Sequence, residues 1–392
     1  MPEVSSETDR PKDAAAFRRE FPIFKDKIYL SSCSQGALSR EVEAGIEQFI
    51  DSWHRFGNPW ERWVTQMEEL RAAFARLINA DADEVAVTFS VSSAINSIAS
   101  ALAYDQRPRV VTSDFDFPTV GHIWLAQERR GAEVTFAKAQ DHRMPLSAYE
   151  AAIDERTAIV STTHVCYKNG FRSNLSALAE LAHERGASLM IDAYQSMGTE
   201  PMDVKALDLD ILVTGALKYL LGSPGVAFMY VRRDLIERLE PSDSGWFGQE
   251  NVFAYDVHHL RYAAAARRFE TGSPPVPNVY ATLPALRMIA QVGLDAIQRH
   301  VQGLADRFIS GARDRGLDLL TPEERAARGP LVMVGATDAP RLVQALAQEG
   351  ILCSTRDGAL RVSLHYYNNE SDVDAILGAL DRLPDLVAHR RH

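Results

Sequence analysis

Asp192 and Lys218 are the residues whose types and spacing could do chemistry. Asp192 closes a short apolar run, Leu189-Met190-Ile191, that reads as a buried strand. Lys218 follows a second such run, Ile211-Leu212-Val213, and stands before a Gly222-Ser223-Pro224-Gly225 turn. A carboxylate at one strand end and an amine just past another suit a charged heteroaromatic ring. The acid pairs with a protonated ring nitrogen, and the amine forms an imine with a ring aldehyde. That is the chemistry of pyridoxal 5'-phosphate (PLP). Taken singly, each residue also has a plainer role, the aspartate as a helix N-cap and the lysine as a solvated charge. Gln195, one helical turn past Asp192, and the glycine-proline turn pinning the lysine segment argue that the two act together.

These side chains need a scaffold. A chain of 392 residues that is 46% hydrophobic can bury a core large enough for one large and one small domain. The net charge of −11 argues against nonspecific nucleic-acid binding, which needs a basic face. Three cysteines, Cys33, Cys166 and Cys353, without CxxC spacing suggest neither a disulfide framework nor a zinc site. They fit a reducing cytoplasm. The N-terminus has no apolar signal core, and residues 1 to about 14 read as loosely attached. No run approaches the roughly eighteen apolar residues that would span a membrane.

Apolar runs at 83–89, 109–112, 133–136, 158–165, 189–191, 211–213 and 226–230 read as strands, most separated by helical periodicity. Ser39 N-caps a helix to 53, and another follows over 60–79. The notable residues fall at strand C-terminal edges, where parallel α/β sheets bind ligands. Strand, polar turn and helix around Ser92-Ser93 make either a phosphate site or a plain serine cap. Phe117, with Phe115 as the alternative, is an aromatic placed to stack on a flat ring or to cap the core. Beyond 293 the strands at 331–334 and 360–364 alternate with helices, and 354–359 reads as a loop. Arg361 heads an apolar strand. Its planar guanidinium suits a carboxylate, a surface salt bridge being the alternative.

Asp192-Ala193-Tyr194-Gln195 and Lys218-Tyr219-Leu220-Leu221-Gly222-Ser223-Pro224-Gly225, followed by VAFMYV, resemble the class V aminotransferase family. That family includes cysteine desulfurases, selenocysteine lyases, kynureninases and isopenicillin N epimerase-like proteins. The resemblance runs from about Phe21 to Leu383. It implies an α/β protein of PLP fold type I, with a large domain built on a mostly parallel seven-stranded sheet and a smaller α+β C-terminal domain. The expected divisions are an arm over 1–38, the large domain over 39–275 and the small one over 276–392. It implies Lys218 as the catalytic residue, with the cofactor held by Ser92, Ser93, Phe117, Asp192, Gln195, Thr214, Lys218 and Thr271. It further implies an amino-acid substrate bound by Arg361 and Tyr167, no metal, and a homodimer in which Thr271 reaches the neighbour's phosphate.

Departures from the pattern bear on the reaction. The Phe-Pro-Thr run resembles the kynureninase form of a loop where desulfurases carry His. The 354–359 segment has no cysteine, Cys353 before it is expected to be buried, and Leu217 stands where desulfurases have His and kynureninases Tyr. Gly215 lacks the hydroxyl expected three residues before the lysine, and Thr214 stands in for it. Cys33, in a small-residue loop, reads as a tight-packing residue or a reactive thiol. The resemblance so modified implies a lyase cleaving a Cβ–S or Cβ–C bond. The alternatives are transamination or epimerisation at Cα and, from another class, a non-catalytic scaffold.

Overall fold

The computed structural model describes residues 13–390; the loosely attached tail expected over the first residues lies mostly outside them. Seven strands build the main sheet: β1 (Val85–Thr88), β2 (Arg109–Ser113), β3 (Glu133–Ala137), β4 (Thr157–Thr163), β5 (Ser188–Asp192), β6 (Ile211–Gly215) and β7 (Ala227–Val231). Their spatial order is β1-β7-β6-β5-β4-β2-β3. Only β7 runs against the rest, antiparallel to both β1 and β6. The other six therefore present their C-terminal ends along one edge, as the expected fold requires.

Most of these strands read as continuous apolar runs because the sheet is buried on both faces. Val110, Ile159, Met190, Val213 and Met229 pack under the helices Val91–Ala101 and Pro118–Ala126. Val111, Val160, Leu189, Leu212 and Phe228 face the opposite layer, which includes the helices Trp60–Leu77 and Leu175–Glu184. Ser39 caps the helix Arg40–Phe56 by accepting from Val42 N at 3.2 Å, as its type and position led us to expect.

A three-stranded antiparallel sheet follows, with β9 (Ser354–Arg356) and β8 (Leu331–Gly335) flanking β10 (Ala359–Ser363). The loop expected over 354–359 is thus a hairpin. Asp357 (φ 48°) and Gly358 (φ 76°) form its two-residue turn. Two left-handed residues in Asp-Gly sequence match the strand twist better than an ordinary turn does. The N-terminal segment is tied to this sheet: Ile28–Tyr29 pairs in parallel with Ile351–Leu352, and Ser363 N donates to Leu30 O at 2.9 Å.

One buried ion pair fixes the segment that carries Thr271. Arg71 Nη1 donates to Glu270 Oε1 at 2.5 Å and to Val85 O at 2.7 Å, while Val87 N donates to the same carboxylate oxygen at 2.8 Å. Removing one partner of such a pair strands the other charge away from water. Arg71→Ala is expected to lower stability by about 3–5 kcal/mol, read as a lower urea midpoint at unchanged slope.

Candidate active site

The parallel edge brings β5 and β6 side by side, with Ala193 N donating to Val213 O at 2.8 Å. Asp192 is buried, and its Oδ1 accepts from Tyr194 N at 2.9 Å. Burial pushes its carboxyl up, opposed by the Tyr194 N–H and the Lys218 charge. Lys218 is half-buried, with Nζ 4.2 Å from the Tyr194 ring centroid and 5.8 Å from that of Phe117. Burial brings its amine down to about 8 against the pull of Asp192 and Cys33, and Arg361 and Arg356 push the same way as burial. The lysine's backbone is clamped by the small-residue loop. Gly36 N donates to Leu217 O at 2.7 Å, and a Cβ on Gly36 would stand 2.5 Å from Lys218 O.

Three buried polar atoms here have no hydrogen-bond partner among the described residues. Gln195 donates through Nε2 to Cys33 O at 3.0 Å, which leaves Oε1 unbonded. Thr214 Oγ1 is likewise buried and unbonded. Asp116, under the Phe117 turn, accepts at Oδ2 from Thr112 Oγ1, Ser113 N and Ser113 Oγ, while Oδ1 has no partner. Burial, above all, raises its carboxyl to about 7. His164 and His365 are held neutral, brought down by burial to about 3 and about 4.

Phe117, Tyr167 and Arg361 come from separate segments that meet beside the lysine. The Phe117 ring, 41% exposed, meets Tyr167 edge-on at 5.0 Å, whereas Phe115 is buried against Phe171. The Phe117 ring therefore lines the lysine pocket and the Phe115 ring belongs to the core. Arg361 is 3% exposed and surrounded by neutral oxygens: Nε donates to Ser354 Oγ at 3.2 Å, Nη1 to Tyr167 O at 2.8 Å and Nη2 to Ser34 Oγ at 3.2 Å. No described carboxylate pairs with it. Cys33 is buried, with Sγ 3.5 Å from Ser354 Oγ, while Cys353 is half-buried against the core, less enclosed than expected.

At the first strand-to-helix turn, Ser90 is the cap. It accepts from Ser93 N at 3.1 Å, and the Ser93 hydroxyl bonds back to Ser90 O and N at 2.8 and 3.2 Å. The Ser92 side chain engages no described protein partner and stands half-exposed at the helix N-terminus. Thr271 lines one small cavity together with Ser93 of the same chain.

A model of class-V aminotransferases matches residues 51–376. The chain belongs to the class V aminotransferase family. It is 36% identical over 374 residues to an uncharacterized aminotransferase, YcbU, of Bacillus subtilis (strain 168), covering 95% of this chain and 98% of that one. It is 30% identical to a kynureninase of Pseudomonas fluorescens, covering 89% and 86%. Its fold matches the apo structure of a cysteine desulfurase from Thermococcus onnurineus NA1 with a TM-score of 0.84 at 21% identity, covering 98% and 99%.

Class V aminotransferases are PLP enzymes, and the site's own atoms fit that group. A buried carboxylate beside a half-buried amine suits a cationic ring bearing an aldehyde. The unbonded Gln195 Oε1 and Thr214 Oγ1 are polar atoms that otherwise stay buried without a partner, which is costly. Sequence reasoning missed Tyr194 as a wall of this pocket. The signal was Gly215, where a Cβ would come within 2.2 Å of the tyrosine ring. It also missed the Ser34 and Ser354 hydroxyls that hold Arg361, which nothing local in the sequence announces.

Proposed function

We propose that this class V enzyme is a lyase that cleaves a Cβ–S or Cβ–C bond of an amino acid, with Lys218 as its catalytic residue. One observation carries this reading: the Lys218 amine shares a pocket with buried Asp192 and with a buried arginine, Arg361, that no described carboxylate pairs. The β9–β10 hairpin ahead of Arg361 carries no thiol, which removes the persulfide carrier a desulfurase would need. The 30% identical kynureninase supports a bond broken beyond Cα.

PLP, when bound, supplies an aldehyde that condenses with amines and a pyridinium that accepts the electron pair left at Cα. Asp192 provides the negative charge that favours a cationic ring nitrogen. Phe117 would cover a ring face, Gln195 and Thr214 would meet ring substituents, and Ser92 with the helix N-terminus would meet the phosphate, the Ser93 hydroxyl and N–H being engaged by Ser90. Lys218, free as an amine, takes the Cα proton and can return it at Cβ, because the two nearby histidines stay neutral and buried in other contacts. Three of the Arg361 N–H groups are spent on Ser354, Tyr167 and Ser34, which fixes the guanidinium plane and leaves the rest for an α-carboxylate. Tyr167 lines the same wall.

Transamination or epimerisation at Cα is the second reading, favoured by the name of the 36% identical relative. The test is product analysis. The cofactor-loaded protein, given a panel of amino acids, should release pyruvate or alanine; a keto acid with pyridoxamine phosphate would establish the second reading instead. A colourless protein that borohydride leaves unchanged would indicate a scaffold.

The same proposal includes a homodimer with Thr271 serving the neighbour's site. Ile46, Ile50 and Trp53, exposed at i, i+4 and i+7 on one helix, support it as an uncovered apolar stripe. The division at 38/39 and 275/276 and a cytoplasmic location, fitting three unpaired cysteines, belong to it too. No helix among the described residues is long and apolar enough to cross a membrane.

A further inference from the structure

The β9–β10 hairpin carries a second arginine for which the reaction above has no use. Ser354 lies directly opposite Arg361 across the ladder, so both side chains leave the same face. Arg356 is two residues along from Ser354 and projects from that face as well. As diagonal neighbours in the ladder, Arg356 and Arg361 have backbones about 7–8 Å apart. The hairpin thus points two guanidinium groups toward the lysine pocket.

Arg356 reaches the pocket wall. Its Cζ lies 5.6 Å from the Tyr167 ring centroid. That ring meets Phe117 at 5.0 Å, and Phe117 lies 5.8 Å from Lys218 Nζ. Arg361 bonds the carbonyl of the same Tyr167. Lys218, Phe117, Tyr167 and Arg356 form one continuous wall, with Arg361 at its base and Arg356 at its mouth.

The charge of Arg356 is unmatched among the described residues. The nearest acid in sequence, Asp357, is taken by Lys168, whose Nζ lies 2.9 Å from Asp357 Oδ2. No described carboxylate pairs with Arg356. Its field reaches inward all the same, since it helps to lower the Lys218 amine. In a chain of net charge −11, this mouth is a local positive funnel, which favours anionic ligands.

We propose that Arg356 binds the far end of the substrate, and that the amino acid carries a second anionic group, a carboxylate or sulfur oxyacid, on its side chain. This rests on the reading of Arg361 as the α-carboxylate site. One arginine fixes the α-carboxylate, the other the side-chain anion, and the bonds at Cα and Cβ lie between them beside Lys218. A bidentate guanidinium–oxyanion contact gives both affinity and direction.

The test uses the cofactor-loaded protein and compares acids with counterparts that lack the side-chain anion. The cofactor's absorbance reports dissociation constants for L-aspartate against L-asparagine, L-glutamate against L-glutamine, and cysteine sulfinate against cysteine. At least one acid should bind about 10-fold or more tightly than its neutral partner. Arg356→Gln should bring that ratio toward one, and Arg356→Lys should restore part of it. Arg361→Gln should weaken acid and neutral partner alike. If every pair binds within about 3-fold in the wild type, or if the preference survives Arg356→Gln, the inference is overturned while the Arg361 reading stands. If no amino acid changes the spectrum of wild type, both fall together.

Discussion

Lys218→Ala is expected to reduce turnover by at least about 10³-fold, because it removes both the covalent attachment and the base in one change. The borohydride-treated wild type should carry a pyridoxyl adduct on the peptide containing Lys218, and the variant should carry none there. Lys218→Arg separates charge from reactivity. It keeps a cation in the pocket but supplies no free amine, and should be as inactive as the alanine variant.

The pH dependence follows from burial. The amine is brought down from 10.5 to about 8, so its neutral, nucleophilic form grows in as pH rises through about 8. In the cofactor-free protein, labelling of Lys218 by an amine-reactive probe should reach half its maximum rate near there. The unfolded chain keeps the extra proton up to about 10.5, so this residue's contribution to stability rises with pH between those two values. A lysine stabilised by a salt bridge would show the opposite slope. Labelling with a midpoint near the ordinary lysine value, or turnover by Lys218→Ala within about 10-fold of wild type, would remove the basis of the proposed chemistry.

Much of this site could be read along the chain, and the reasons are physical. Strands buried on both faces are continuous apolar runs, so β4, β5, β6 and β7 stood out, and the ends of β5 and β6 located Asp192 and Lys218. The β9–β10 hairpin did not stand out. Its first strand is three residues long and polar, Ser354–Arg356, with neither alternation nor an apolar face to signal it. Only Asp357-Gly358 announced a turn, and the strand it closed was too short to score. The consequence reached the site itself, because hairpin pairing is what sets Arg356 and Arg361 on one face. The cradle of Arg361 is invisible to local reading for another reason: Ser34 and Arg361 are 327 residues apart. Ser93 illustrates the reverse case. Its type and position suit a phosphate contact, yet its hydroxyl completes the cap with Ser90, leaving Ser92 with the uncommitted side chain. Residue type gave the chemistry available; only tertiary contacts say which hydroxyl is already spent.

Asp192→Asn should lower turnover by about 10²–10³-fold while leaving the fold intact. The substitution preserves shape and the Tyr194 N–H contact but removes the negative charge, and an uncompensated cationic ring nitrogen in a buried site loses several kcal/mol of stabilisation, of order 3. The loss should fall on kcat, since the charge matters most when electrons move from Cα into the ring, whereas Arg361 and the wall still bind substrate. Asp192→Glu keeps the charge and should recover part of the rate. Burial holds the Asp192 carboxyl above its usual range in the cofactor-free protein. Its ionised form is the useful one, so cofactor affinity should fall on acidification at a pH above the ordinary carboxylate value, and the asparagine variant should lack that limb. The same upward shift means that Asp192 stabilises the cofactor-free fold only when protonated, a contribution that fades as pH rises from the unfolded-state value through the raised one. A bound pyridinium supplies the missing counter-charge. Loaded protein should therefore lose this pH sensitivity, and melting curves of loaded and cofactor-free protein should diverge as pH rises toward neutrality. Parallel curves, or an asparagine variant that turns over within about 3-fold of wild type, would mean that the carboxylate at 192 serves the strand end and not the ring.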